Sequence, residues 1–110
     1  MKGTYLGEFE ELVLLTVAVL YGVAYGIAII EEMENRLNRK VSIGSLQTVL
    51  RRLEKKGYLK SEFGEATQVR GGKRKRFYLI TNGGKAALIK SKELRDQLWN
   101  KIPDLVLKRI

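Results

Sequence analysis

Ser42 to Gly57 reads SIGSLQTVLRRLEKKG, and this stretch decides the fold. Ile43, Leu46, Val49, Leu50 and Leu53 recur at helical spacing and make an apolar stripe. Ser45, Gln47, Thr48, Arg51, Arg52 and Lys55 fall mostly on the opposite side. Short polar groups lie near the helix start and cations further on. That order suits a helix laid in a DNA major groove, where small polar groups read base edges and cations meet phosphates. Ser42 is a good N-cap, and Gly57 can take the left-handed conformation that ends a helix. Taken alone, the stretch also reads as an ordinary amphipathic surface helix. Its neighbours separate the two readings.

After Gly57 the periodicity changes from helical to alternating. Leu59, Ser61 and Phe63 point one way, and Tyr58, Lys60 and Glu62 the other, which predicts a strand. Gly64 to Gly72 is a polar loop with a Gly-Gly tip. Lys73 to Thr81 is the return strand, with Phe77 and Leu79 alternating against Tyr78 and Ile80. Two strands joined by a basic loop, directly after a helix with a polar face, make a wing. The densest charge lies here, in Arg70-Gly71-Gly72-Lys73-Arg74-Lys75-Arg76. Folding gains little from such a run. Its glycines let the loop turn close to a phosphate backbone or into a minor groove, while its cations displace counterions.

Upstream, Gly7 starts a first helix with Glu8, Glu10 and Glu11 in its first turn, where the helix dipole favours acids. Phe9, Leu12, Val13, Val17 and Leu20 form one stripe, and Leu14, Leu15, Ala18 and Val19 fill much of the remaining circumference. Such a helix is buried on more than one side, and a second subunit is one way to cover the second. Tyr21 to Val23 makes a turn, and a second helix runs from about Ala24 to Leu37, with Ala24, Ile27, Ile30, Met33 and Leu37 as its apolar positions and Ile29 adding width. Tyr25 reads as aromatic packing under the first helix. Asn38 to Val41 links to Ser42. Two helices, a tight polar link and a third helix with a polar face make a helix-turn-helix.

Leu12 to Ile30 carries no charge and is long enough to raise the alternative of a membrane span. Gly22 and Gly26 break it near the middle, and each half has its own amphipathic pattern. The acids before it are wrong for a signal peptide. Two buried helices joined by a turn are therefore expected, with no membrane contact and a cytoplasmic location.

Thr81 or Asn82 caps a last helix, whose glycines Gly83 and Gly84 predict a fraying first turn. It runs from about Lys85 to Lys101 and resumes after Pro103. Ala87, Ser91, Leu94, Leu98, Ile102 and Leu105 alternate at spacings of three and four, a short coiled-coil-like seam. It packs either on its own domain or on a twin. A dimer is the expectation, with Phe9, Leu94, Leu98, Ile102 and Leu105 as its contacts. Trp99 is either an anchor in that seam or a flat wall for an aromatic effector between two subunits.

The whole chain has 110 residues, enough for one domain with a modest core, and a formal net charge of +9. A basic chain of this size meets a polyanion. With no Cys and no His, thiolate chemistry and the commonest general base are absent, and no pair of carboxylates is marked out as catalytic. An enzyme is not indicated, and no cofactor or metal is implied.

These blocks, Leu6 to Leu15, Ala24 to Ile29, Val41 to Leu46, Leu53 to Leu59 and Gly71 to Thr81, together resemble the PadR family of transcriptional regulators. The resemblance covers about Leu6 to Leu88. It implies a mainly helical α+β fold: a winged helix-turn-helix over residues 1–81, with a C-terminal dimerisation helix over residues 82–110. It also implies a homodimeric repressor that binds double-stranded DNA at a pseudo-palindromic operator and releases it on a ligand or signal. By position, Ser42, Ser45, Thr48 and Arg51 or Arg52 fall on the recognition helix, and Lys73, Arg74 and Lys75 in the wing. Gln47 stands where the family often has a tyrosine; a glutamine can read adenine bidentately. The single C-terminal helix resembles the smaller subfamily, some of whose members bind flat aromatic compounds between tryptophans, a role that falls to Trp99. The competing function is a membrane-surface or protein-interaction adaptor using the apolar N-terminal helices and the basic wing.

Overall fold

The computed structural model describes residues 6–64 and 75–108. The elements run α1 (Glu8–Val19), α2 (Gly26–Leu37), α3 (Ile43–Lys55), β1 (Leu59–Phe63), β2 (Arg76–Ile80), α4 (Asn82–Trp99) and a short α5 (Asp104–Leu107). The architecture is the expected one: mainly helical, with a two-stranded antiparallel sheet following the third helix.

The three N-terminal helices close one core. Val13, Leu14 and Val17 come from α1, Ile29 and Met33 from α2, and Leu46, Val49, Leu50 and Leu53 from α3. Tyr58, Leu59 and Tyr78 add the base of the sheet. Each fully buried large side chain contributes about 2 kcal/mol relative to exposure. The charge-free run is split as its glycines predict. The first helix ends at Val19, and Gly22 takes φ +84°, open only to glycine without strain. No helix among the described residues is long and apolar enough to cross a membrane.

The second helix starts later than its apolar pattern predicts. Tyr25 is extended and bridges Phe77, and the Ala24 carbonyl before it accepts the Tyr78 N–H at 3.1 Å. Sheet pairing satisfies the backbone there, so the helix begins at Gly26. Its buried face is then Ile29 and Met33, while Ile27 and Leu37 are exposed. The Tyr25 ring lies 5.7 Å from that of Phe77 on the wing. Ile43, expected in the buried stripe of α3, is exposed at the first helical position.

The start of α4 also differs from expectation. Thr81 caps it, accepting the Gly84 N–H at 3.0 Å, and donates its own hydroxyl to the Gly57 carbonyl at 2.6 Å. Gly84 is buried, and a Cβ there would lie 2.3 Å from the Tyr58 oxygen. The glycine is a close-approach residue that docks the helix, not a weak first turn.

The rest of α4 leaves the domain. Ala87, Leu88 and Ser91 are half-buried, whereas Leu94, Leu98 and Trp99 are exposed. The radius of gyration is 16.7 Å, against about 13 Å for a compact chain of this length.

Candidate nucleic-acid interface

Ser42 caps α3: its hydroxyl accepts the Ser45 N–H at 3.1 Å and donates to the Ser45 hydroxyl at 3.0 Å. At the other end Gly57 takes φ +82°, with the Tyr58 N–H bonded to the Leu53 carbonyl at 3.0 Å and the Gly57 N–H to that of Glu54 at 2.9 Å. This paired arrangement ends the helix sharply and turns the chain into β1.

Between these ends the helix has two distinct faces. Leu46, Val49, Leu50 and Leu53 point into the core. At about 100° per residue, Gly44, Thr48, Arg51 and Lys55 lie opposite them, with Gln47 on one flank and Ser45 and Arg52 on the other. All seven are exposed. Nothing lies within 4 Å of a Cβ placed on Gly44, so the outer face is open at its start.

The side chains on this face are not equally free. Ser42 is committed to its cap. Thr48 donates to the Gly44 carbonyl at 3.1 Å and keeps its acceptor capacity. Arg52 leans back, 3.8 Å from Glu10. Gln47, Arg51 and Lys55 have no side-chain partner among the described residues. They are the groups most available to a ligand: one two-sided hydrogen-bonding amide and two cations.

The wing stands beside this helix. Leu59 pairs with Ile80 and Phe63 with Arg76, and the ladder extends to Gly64, whose N–H bonds the Lys75 carbonyl at 2.8 Å. A Cβ on Gly64 would lie 3.0 Å from the Tyr25 hydroxyl, so the strand passes close under that ring. Lys75 and Arg76 are exposed, and the Arg76 guanidinium stacks 5.2 Å over Phe63. Arg70, Lys73 and Arg74 lie outside the described residues.

Two cations were not picked out by the helix pattern. Arg39 and Lys40, in the link before α3, border an open hollow of about 230 Å³ with Phe9, Val41, Ser42 and Ser45. Their signal was the Arg-Lys pair just before the N-cap. Phe9, expected in a dimer contact, is half-buried beneath the Arg39 guanidinium, 5.1 Å from its ring. Of the other expected dimer contacts, Leu94, Leu98 and Leu105 are exposed and Ile102 is half-buried.

Behind this face, three acids of α1 each hold a cation from another segment. Glu8 accepts from Arg39 at 2.8 Å, and that bond holds its carboxyl below the usual value. Glu10 is buried and accepts from Lys56 at 2.9 Å and from the Gly7 N–H at 2.8 Å. Burial pushes the Glu10 carboxyl up, but these bonds and the nearby Arg52 outweigh it, so it ionises below its ordinary value. Glu11 accepts from Arg95 of α4 at 2.6 Å.

The comparisons with known proteins agree with this geometry. The model of the transcriptional regulator PadR-like family matches residues 14–90. A PadR-like transcription factor from Bacteroides fragilis aligns with 25% identity over 84% of this chain and 84% of its own, at a TM-score of 0.69. A PadR family regulator from Eggerthella lenta gives 26% identity over 89% of this chain and 83% of its own, at 0.66. One from Clostridium difficile gives 28% identity over 88% of this chain and 98% of its own, at 0.63. No functionally curated protein matches the sequence. With an outward-facing polar helix, a wing beside it and a family match across both, this chain belongs to the PadR-like family, whose members are DNA-binding transcriptional regulators rather than enzymes.

Proposed function

We propose that this chain is a homodimeric repressor that binds a pseudo-palindromic operator and lets go when a signal arrives. The observation that carries the reading is the division of α3. Its inner face completes the core, while its outer face presents an unpartnered Gln47 with Arg51 and Lys55. In each subunit this helix enters a major groove, and the two grooves lie about one turn (~34 Å) apart. Gln47, Thr48 and Ser45 face base edges. Arg51, Lys55 and, more weakly, Arg52 meet phosphates. Ser42 orders the helix start rather than reading bases. Lys75 and the neighbouring Arg70, Lys73 and Arg74 grip the flanking backbone.

The dimer seam is assigned to Leu94, Leu98, Ile102 and Leu105. Six large apolar side chains from Leu94 to Leu107 are exposed in the single chain, and a contiguous apolar surface of this kind marks an interaction site. Trp99, 60% exposed on the same projecting segment, is the wall available to a flat aromatic effector. Release then follows a population shift between two dimer geometries.

Enrichment of a random duplex library, with sizing of the bound species, tests this. An inverted repeat bound by two chains is expected. Equal affinity for the enriched and random duplexes at physiological salt would sink the claim of specific regulation. For Trp99, quenching of its fluorescence by planar aromatic compounds is expected, and a flat response would leave it as a packing residue.

A further inference from the structure

The apolar seam begins at the end of α4, beyond the residues that pack on the core, and continues into α5, so its orientation must be fixed by contacts nearer the domain. Ala87 and Leu88 pack on the core, and two polar stations flank them. The first is at the end of α3. There the Thr81 N–H bonds the Tyr58 carbonyl at 3.0 Å, the Thr81 hydroxyl bonds that of Gly57, and Gly84 lets the helix close on Tyr58. The second lies about 20 Å further along the axis, at 1.5 Å rise per residue. There Arg95 reaches the Glu11 carboxylate at 2.6 Å.

The two stations are joined through α1. Glu10, next to Glu11, holds Lys56, the residue before Gly57, at 2.9 Å. Three sides therefore close a triangle: α4 to α1 through Arg95 and Glu11, α1 to α3 through Glu10 and Lys56, and α3 to α4 through Gly57 and Thr81. A triangle holds its angles only while all three sides hold. The Lys56 side is largely enclosed, and on the third side the Thr81 hydroxyl bond to Gly57 is backed by the Thr81 N–H bond to the Tyr58 carbonyl and by Gly84 pressed on Tyr58. The Arg95 side differs: its carboxylate is 12% exposed but its guanidinium is 65% exposed. Solvent and ions reach it, so it is the side that opens with least cost. An exposed pair of this kind adds little to stability. Its leverage is geometric, because a small rotation at the Gly84 contact becomes a large displacement at Leu98.

We infer that the Arg95–Glu11 pair is a releasable brace that sets the angle of α4 to the recognition helix, and that both are positioning residues for two-site DNA binding. The inference rests on the dimeric reading above. Neither residue needs to touch DNA. Opening the brace changes the spacing of the two recognition helices and leaves each one's own surface intact.

Enrichment of a random duplex library by the full chain and by Arg95→Met, Glu11→Gln and Arg95→Lys tests it. The unaltered chain is expected to enrich one inverted-repeat spacing. Arg95→Met and Glu11→Gln should enrich the same half-site at several spacings and bind the original spacing about tenfold more weakly. Their affinity for a single half-site duplex should be unchanged, a readout that general loosening of the fold would not spare. Arg95→Lys, which keeps the charge, should restore the single spacing. Retention of one spacing and full affinity by both Arg95→Met and Glu11→Gln would overturn the inference and leave the dimeric repressor standing. Equal loss on half-site and full site would also overturn it, since the pair would then serve the fold. If the unaltered chain enriches no inverted repeat, the dimeric reading fails and this inference with it.

Discussion

The third and fourth helices look alike in sequence and behave differently in the fold. Both open on a hydroxyl cap, Ser42 or Thr81, and both repeat apolar residues at helical spacing. The first buries Leu46, Val49, Leu50 and Leu53 and turns a polar, cationic face outward. The second, longer by five residues, buries only Gly84 among its described positions and turns Leu94, Leu98 and Trp99 outward. One amphipathic helix is complete within the chain, and the other is not. What each leaves exposed is what the proposed function uses: a cationic face for a polyanion on α3, and an apolar stretch for a second copy at the end of α4.

The largest effects should separate the two helices directly. Leu53→Ala removes a fully buried side chain and should cost about 3 kcal/mol in a urea melt. Leu98→Ala, on a side chain 76% exposed, should change the monomer's stability by less than about 0.5 kcal/mol. It should instead weaken self-association measured by sedimentation. Equal costs in the melt would erase the contrast.

The glycines give a second comparison. Gly84→Ala forces a Cβ to within 2.3 Å of the Tyr58 oxygen. It should cost about 2 kcal/mol despite alanine's better helix propensity. Gly44→Ala meets nothing within 4 Å and should stabilise by about 0.5–1 kcal/mol. A stabilised Gly84→Ala would mean that α4 is not docked where it is described.

Glu10 ties the end of α3 to α1 through Lys56. Glu10→Gln should cost about 1–3 kcal/mol by leaving Lys56 without its carboxylate. The sign of the pH dependence follows from the lowered folded value. The carboxylate's contribution is full above its ordinary value of 4.5 and is lost as pH falls through the depressed one. Thermal melts from pH 6 downward should therefore fall less steeply in Glu10→Gln than in the parent chain. Ser42→Ala should cost about 1 kcal/mol through the lost cap, read in the same melts.

Much of this contrast was legible in the sequence, and the parts that were not have one physical cause. The cap at Ser42, the left-handed stop at Gly57, the polar outer face and the paired strands are local signals, each written within a few residues. Tyr25 pairing with the wing, Gly84 pressed on Tyr58 and Glu10 buried against Lys56 depend on partners distant in the chain. Periodicity assigns a face to a residue but does not name its neighbour. Glu8, Glu10 and Glu11 read correctly as a helix start, yet each also holds a cation from a different segment. Arg52 read like Arg51, and only the fold distinguishes the one that leans on Glu10 from the one that stays free.

The most direct measurement is the salt dependence of binding to an enriched duplex, for the parent chain and for Arg51→Met with Lys55→Met. Two cations in each of two subunits should release about four counterions, so the log–log slope should flatten by ~3.6. An unchanged slope, with binding intact, would contradict the assignment of the outer face of α3 to DNA.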